Sequence, residues 1–211
     1  MSEDFQFTIS DEARPFLILQ KGYLWDLKDD HKLWDAAYTQ SINNYFRTLS
    51  GHLPENCGAV LDMGSGLGGI NAILAQHYDN LSVTLLDGVN DKAEVRLHSQ
   101  TFNAMSTAER FLRAHGVERF DYIDPNNLPV GKMSDAGFDL IISAGAWGFH
   151  FFPQEYLDMV KFLARPGATI ILDVRKSRPE WLEQLTDAFG PGEIIRDATK
   201  FTKWKFINGK N

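Results

Sequence analysis

Cysteine is almost missing from this 211-residue chain: Cys57 stands alone, so no intrachain disulfide can form. A lone thiol suits a reducing compartment. Long apolar runs are missing too, and none approaches the roughly 20 residues that a bilayer-spanning helix needs. The opening Met1-Ser2-Glu3-Asp4 is acidic and lacks the basic-then-apolar order of a secretory leader, which makes the cytoplasm the expected location. Positive charge is in deficit. The 21 Lys and Arg against 28 Asp and Glu leave a formal charge of −7, with no broad cationic field for nucleic acid or an anionic membrane. Lys200, Lys203 and Lys205 are a local exception, read most simply as a solvated strand face. His31, His52, His77, His98 and His115 fall at no metal-ligand spacing, so no metal is expected.

What is present belongs to a globular domain: 44% hydrophobic and 23% charged residues. The length suits one α/β domain with a substantial core. Residues 1–55 are rich in aromatics and read as an N-terminal helical segment. Its main helix starts near Asp29 and Asp30 and carries Leu33, Trp34, Ala37, Tyr38, Ile42, Tyr45, Phe46 and Leu49 at steps of three and four. Gly51 and Pro54 close it. Residues 56–211 read as the core. Apolar runs at Ala59–Leu61, Leu81–Leu86, Phe120–Ile123, Phe138–Ser143 and Ala168–Val174 alternate with helices at Gly69–His77, about Ser106–Ala114, about Gln154–Leu163 and Pro179–Phe189. Arg165-Pro166-Gly167 reads as the turn before the fifth strand. This alternation predicts a doubly wound, mostly parallel α/β sheet. The last two strands, Glu193–Arg196 and Lys203–Ile207, are too close together for a parallel crossover and predict an antiparallel pair at the sheet edge.

Between the first strand and its helix lies Asp62-Met63-Gly64-Ser65-Gly66-Leu67-Gly68-Gly69. Glycines at a strand-to-helix turn let a ligand approach the backbone, because no side chains fill the space. The turn matches two templates. Gly64, Gly66 and Gly69 satisfy the dinucleotide pattern G-x-G-x-x-G, while Asp62, Gly64, Gly66 and Gly68 satisfy D-x-G-x-G-x-G. Asp87, at the end of the second strand, serves either template as the acid that accepts hydrogen bonds from ribose hydroxyls. Asp62 tips the balance: an anion there is awkward beside a pyrophosphate and useful beside a cationic ligand.

The downstream elements point the same way. Asp124-Pro125-Asn126-Asn127-Leu128-Pro129 is similar to a D-x-x-x-L-P element, and Leu163-Ala164-Arg165-Pro166-Gly167 to an L-K-P-G-G turn. With Phe138-Asp139-Leu140-Ile141-Ile142 opening the fourth strand, the chain from about residue 58 onward resembles the class I S-adenosylmethionine-dependent methyltransferases. The resemblance implies a Rossmann-like fold with S-adenosylmethionine as methyl donor. It puts Asp62, Gly64, Ser65, Gly66 and Gly68 along the methionine part, Asp87 and Gly88 at the ribose, and Asp124 and Pro125 at the adenine. Ser143, ending the fourth strand, completes the donor's surroundings. Asp62 also reads as a turn stabiliser and Asp124 as a loop cap.

The acceptor of this superfamily meets the methyl group beside the end of the fourth strand, here Ser143-Ala144-Gly145-Ala146-Trp147-Gly148-Phe149-His150-Phe151-Phe152-Pro153. The Asp/Asn-Pro-Pro-aromatic element of amide N-methyltransferases is missing from it. Ser143 and Asp173-Val174 interrupt the acids of the catechol-type magnesium site. His150 can take the proton of a hydroxyl acceptor, since its reference pKa lies near neutrality; it reads equally as a helix cap or a buried hydrogen-bonded residue. The Trp-Gly-Phe-His run is similar to one in sugar O-methyltransferases and their uncharacterised relatives. The expectation is therefore O-methylation of a small hydroxyl acceptor such as a sugar, with His150 as base and Trp147, Tyr23 and Trp25 as acceptor contacts. N- or C-methylation, or a non-catalytic donor-binding protein acting through a partner, are the alternatives.

Overall fold

The computed structural model describes residues 6–17, 31–87, 105–125 and 137–209. Along the chain run α1 (His31–Leu49), β1 (Ala59–Met63), α2 (Gly69–His77), β2 (Ser82–Leu86), α3 (Met105–Ala114), β3 (Phe120–Ile123), β4 (Phe138–Ser143), α4 (Pro153–Leu163), β5 (Ala164–Arg175), α5 (Pro179–Phe189), β6 (Glu193–Asp197) and β7 (Phe201–Ile207). The strands form one sheet in the order β3-β2-β1-β4-β5-β7-β6. The first five are parallel, and β7 runs antiparallel to both β5 and β6. The doubly wound α/β sheet with an antiparallel C-terminal pair is as expected.

The central strands are buried on both faces, which is why they lack polar alternation. Period-two geometry then divides their side chains between two cores. Val60, Val83, Leu85, Leu140, Ile142 and Ile171 pack with α1, α2 and α3. Leu61, Met63, Ile141, Ile170, Leu172 and Phe206 pack with α4 and α5. Each fully buried aliphatic side chain contributes about 1.5–3 kcal/mol by leaving water. The N-terminal segment joins the first core through Phe7, Ala13 and Leu17. Asn43 of α1 holds it there, accepting from Phe7 N and donating to Phe7 O, both at 2.8 Å.

Two details depart from the sequence reading. The Arg165-Pro166-Gly167 turn is a bulge inside β5: Phe138 pairs with Ala164 and Leu140 with Thr169, so Arg165–Ala168 stand opposite Asp139 alone. Asn208 stitches the bulge, donating through Nδ2 to the carbonyls of Ala164 (2.9 Å) and Arg165 (3.0 Å). Asp139 pairs with Arg165 and accepts from Gly58 N and Ala59 N, tying down the N-terminal end of β1. The second departure is Lys203. Because β7 is inserted between β5 and β6, this side chain is 2% exposed instead of solvated. Its Nζ lies 2.5 Å from Asp173 Oδ1, directly across the β5–β7 ladder.

Candidate functional site

In a parallel sheet of this kind, ligands sit beyond the carboxyl ends of the strands. Four loops meet there. Asp62 is the penultimate residue of β1, Asp87 follows β2, Asp124 follows β3, and the segment Ala144–Phe152 follows β4.

The turn after β1 is built on positive backbone angles, with φ of 79° at Gly64, 56° at Gly66 and 79° at Gly68. These lie in the left-handed region that glycine adopts without strain. Gly64 N donates to Leu86 O at 2.7 Å, and Gly66 N to Asp87 Oδ2 at 2.7 Å, so the acid after β2 orders the turn. A Cβ at Gly64 would collide with the methyl of Ala146 in the loop after β4. Gly69 has a different reason to be bare: α1 brings the Tyr38 hydroxyl and Ile42 against it. The residue that lets the turn pass for a dinucleotide loop thus serves helix packing.

Asp62 is 2% exposed, and its Oδ2 accepts from Asn71 Nδ2 at 2.6 Å. Burial pushes its carboxyl up to about 7; the Asn71 hydrogen bond opposes this and the charge of Asp87 reinforces it. Around it, Asn71 Oδ1 and Ser65 Oγ are buried with no hydrogen-bond partner among the described residues. Buried polar atoms are rarely left so; one stands in the turn and the other in α2, on the amide that bonds Asp62.

After β4 two of the expected site residues sit inside the protein. Ser143 is fully buried; its hydroxyl donates to Met63 O (2.9 Å) and accepts from Trp147 N (2.8 Å). Trp147 is 1% exposed, packs in the second core and donates through Nε1 to Pro153 O at 3.0 Å. Ser143 thus secures the loop and Trp147 anchors it. Asp173 holds the same loop from below: Oδ2 accepts from Gly145 N at 3.1 Å while Oδ1 takes Lys203 Nζ. Burial raises the Asp173 carboxyl and lowers the Lys203 ammonium, each opposed by the other's charge. The Lys203 ammonium also sits 4.4 Å from the centre of the Tyr45 ring of α1.

His150 is exposed at the far end of this loop, its backbone N bonded to Ala146 O at 2.8 Å. It borders a cleft of about 630 Å³ whose other walls are Phe149, Arg175, Lys176, Ser177, Thr199 and Lys200. Its imidazole is held below the ordinary value by burial and then by Arg175, which favours the neutral base near pH 7. Asp124 and Pro125 are half-buried after β3. Gly88, Tyr23 and Trp25 lie outside the described residues, as do Leu128 and Pro129. In α1, Trp34 is buried and Tyr38 half-buried, and both contribute to packing.

Sequence reasoning missed Asn71, the Asp173–Lys203 pair and Arg175. Asn71 had a signal, a polar residue amid the apolar Gly69-Ile70-Asn71-Ala72-Ile73-Leu74. The others had none, because a charged residue next to an apolar run looks the same whether it ends buried or exposed.

No protein-family model and no curated protein matches the sequence. Solved structures do resemble the fold. Superposition on an O-methyltransferase family protein from Burkholderia thailandensis gives a TM-score of 0.54 at 14% identity, covering 72% of this chain and 51% of the other. This chain thus spans about half the length of that protein. A precorrin-6y C5,15-methyltransferase from Geobacter metallireducens gives 0.55 at 11%, covering 80% and 87%. The ribosomal protein L11 methylase of Lactobacillus delbrueckii gives 0.53 at 15%, covering 79% and 77%.

The chain has the methyltransferase fold.

The resemblance read from the glycine turn and its downstream acids is borne out at that level. Methyltransferase structures with such different substrates share this sheet, so the fold leaves the acceptor to the loops. Among the described residues, no group of three metal-ligating side chains is assembled, and no helix is long and apolar enough to cross a membrane.

Proposed function

We propose that this protein is an S-adenosylmethionine-dependent methyltransferase acting on the hydroxyl group of a small molecule, a sugar being the favoured class. The observation that carries the reading is the buried Asp62 carboxylate, lacking a cationic partner among the described residues, beside a ligand-ready glycine turn. The residues present fit such a donor. Asp62 would hold its cationic amino end, and the unpartnered Ser65 Oγ and Asn71 Oδ1 offer further hydrogen bonds. Asp87, which already orders the turn through Gly66 N, stands just after β2 for the ribose hydroxyls, and Asp124 lies at the β3 end for the adenine amino group.

When bound, the donor supplies a methyl group on a sulfonium, a good leaving group. The protein's part is then alignment and proton removal. With the donor in place, His150 would take the acceptor's hydroxyl proton as the methyl group passes from sulfur to oxygen and leaves a neutral thioether. The loop from Ala144 to Phe152 links the two halves of this chemistry, since Ala146 touches Gly64 at one end and His150 faces the cleft at the other.

The test has two readings. S-Adenosylmethionine and S-adenosylhomocysteine should each raise the melting temperature, and Asp87→Ala should weaken either ligand by about tenfold or more, as loss of charge-assisted hydrogen bonds does. A nicotinamide dinucleotide that stabilises the protein when neither of these does would overturn the proposal. Transfer of labelled methyl to a panel of hydroxyl, amine and carbon acceptors then separates O-methylation from its alternatives.

A further inference from the structure

The cleft beside His150 has a composition at odds with the rest of the chain. Formal charge over the whole sequence is −7, yet among the described residues this cleft is lined by Arg175, Lys176 and Lys200 and by no carboxylate. Cations gathered in one cleft repel one another, and that cost is ordinarily offset by a partner.

Not all three are free. Lys176 Nζ pairs with Asp197 at 2.6 Å. Neither Arg175 nor Lys200 forms an ion pair among the described residues. Arg175 is also oriented. Its backbone N is bonded to Gly148 O at 3.0 Å, and its guanidinium carbon lies 4.5 Å from the centre of the Phe149 ring. Stacking engages the planar face of a guanidinium and leaves its N–H edge available, the edge that matches carboxylate or phosphate oxygens two at a time. Lys200 sits on the turn between β6 and β7, and that turn is fastened to the end of β5 by a bond from Lys176 N to Lys200 O at 3.1 Å. Ser177 and Thr199 add neutral hydroxyl donors to the same walls.

We infer that the acceptor carries an anionic oxygen group, a carboxylate or a phosphate monoester, which the cleft binds through Arg175 and Lys200. The inference rests on the proposed function in reading the cleft as the acceptor site; binding of the anion itself does not require the donor. In an acidic protein a cleft with a cationic lining also selects, because anions are repelled elsewhere and concentrated here. With the anionic end fixed beside Arg175, a hydroxyl elsewhere on the acceptor is brought to His150.

The test uses the intact, donor-free protein, titrated with benzoate and with inorganic phosphate against sodium chloride at matched ionic strength. The readout is the His150 imidazole resonance, assigned by its loss in His150→Asn. A saturable shift with benzoate or phosphate, absent with chloride, is expected, and the responding anion distinguishes carboxylate from phosphate. Lys200→Gln and Arg175→Gln should each weaken it by about tenfold, the scale of one charge-assisted contact. Lys200 is exposed on a turn, so its variant reports on binding even if loss of the Arg175 stack disturbs the fold. No saturable shift beyond chloride, or equal affinity in wild type and Lys200→Gln, overturns the inference. So does rapid methylation of a neutral sugar at a rate that Lys200→Gln leaves unchanged. Anion binding without donor binding defeats the proposed function and leaves the anion site standing, whereas donor binding without anion binding does the reverse.

Discussion

The two halves of the sheet's carboxyl edge carry opposite charge. Over β1, β2 and β3 the chain places Asp62, Asp87 and Asp124 around a bare glycine backbone. Over β4, β5 and β7 it places Arg175, Lys176 and Lys200 around a cleft bordered by His150. The first half owes its character to backbone: positive φ angles at the glycines, with Asp62 buried in β1 and Asp87 and Asp124 half-buried just beyond their strands. The second owes it to side chains that arrive from separate loops. A reaction whose donor is cationic and whose acceptor is anionic needs such a divided edge, since each half repels the other's ligand.

The sharpest challenge to the division is at His150. His150→Ala should lower turnover by about 10²–10⁴-fold, the range of general-base catalysis, while the donor's dissociation constant stays unchanged. An unaltered transfer rate in a labelled-methyl assay would remove His150 from the chemistry and leave the second half a binding surface only.

Next in size is the contact between the halves. Gly64→Ala puts a methyl group into Ala146 at a φ of 79° and should cost about 2–4 kcal/mol in denaturant unfolding. Gly145→Ala, at a φ of 69° but with open space around the added carbon, should cost only about 1–2 kcal/mol. Equal losses would mean that strain alone matters and the two loops are not interlocked.

The smallest effect is titration of Asp62. Its folded value of about 7 stands above the ordinary carboxylate value of about 3.9. A raised value means that the group's contribution to stability is full below about pH 4 and is lost as pH rises through 7. A cationic donor reverses this preference by binding the ionised form. Donor affinity measured by calorimetry should therefore rise by up to about tenfold per pH unit below 7 and level off above it. In Asp62→Asn this slope should vanish; a flat profile in the wild type would show that Asp62 does not meet the donor's cationic end.

Much of the first half was legible in the sequence. Ala59–Met63, Ser82–Leu86 and Phe138–Ser143 are strands because short apolar runs can be buried on both faces only in a central sheet. Asp62 and Asp87 fall at strand ends by spacing alone. The second half was barely legible. Lys200, Lys203 and Lys205 look alike in sequence, yet Lys203 is buried on Asp173, Lys205 lies 3.9 Å from Glu193 and Lys200 opens into the cleft. Their fates depend on β7 lying between β5 and β6, a long-range fact. Ser143 and Trp147 had the right position for a ligand, but their atoms are committed to the loop and the second core.

By itself, then, the sequence determined the order of strands and helices, the glycine turn and the acids that face it. These rest on local backbone preference and on the period of apolar residues, both properties of short segments. Only the tertiary structure decided that Asp173 and Lys203 neutralise each other beneath the loop while Arg175 and Lys200 meet across a cleft. Those outcomes depend on which charges burial brings within reach of a partner and which it leaves facing open space, and that is settled between segments distant in the chain.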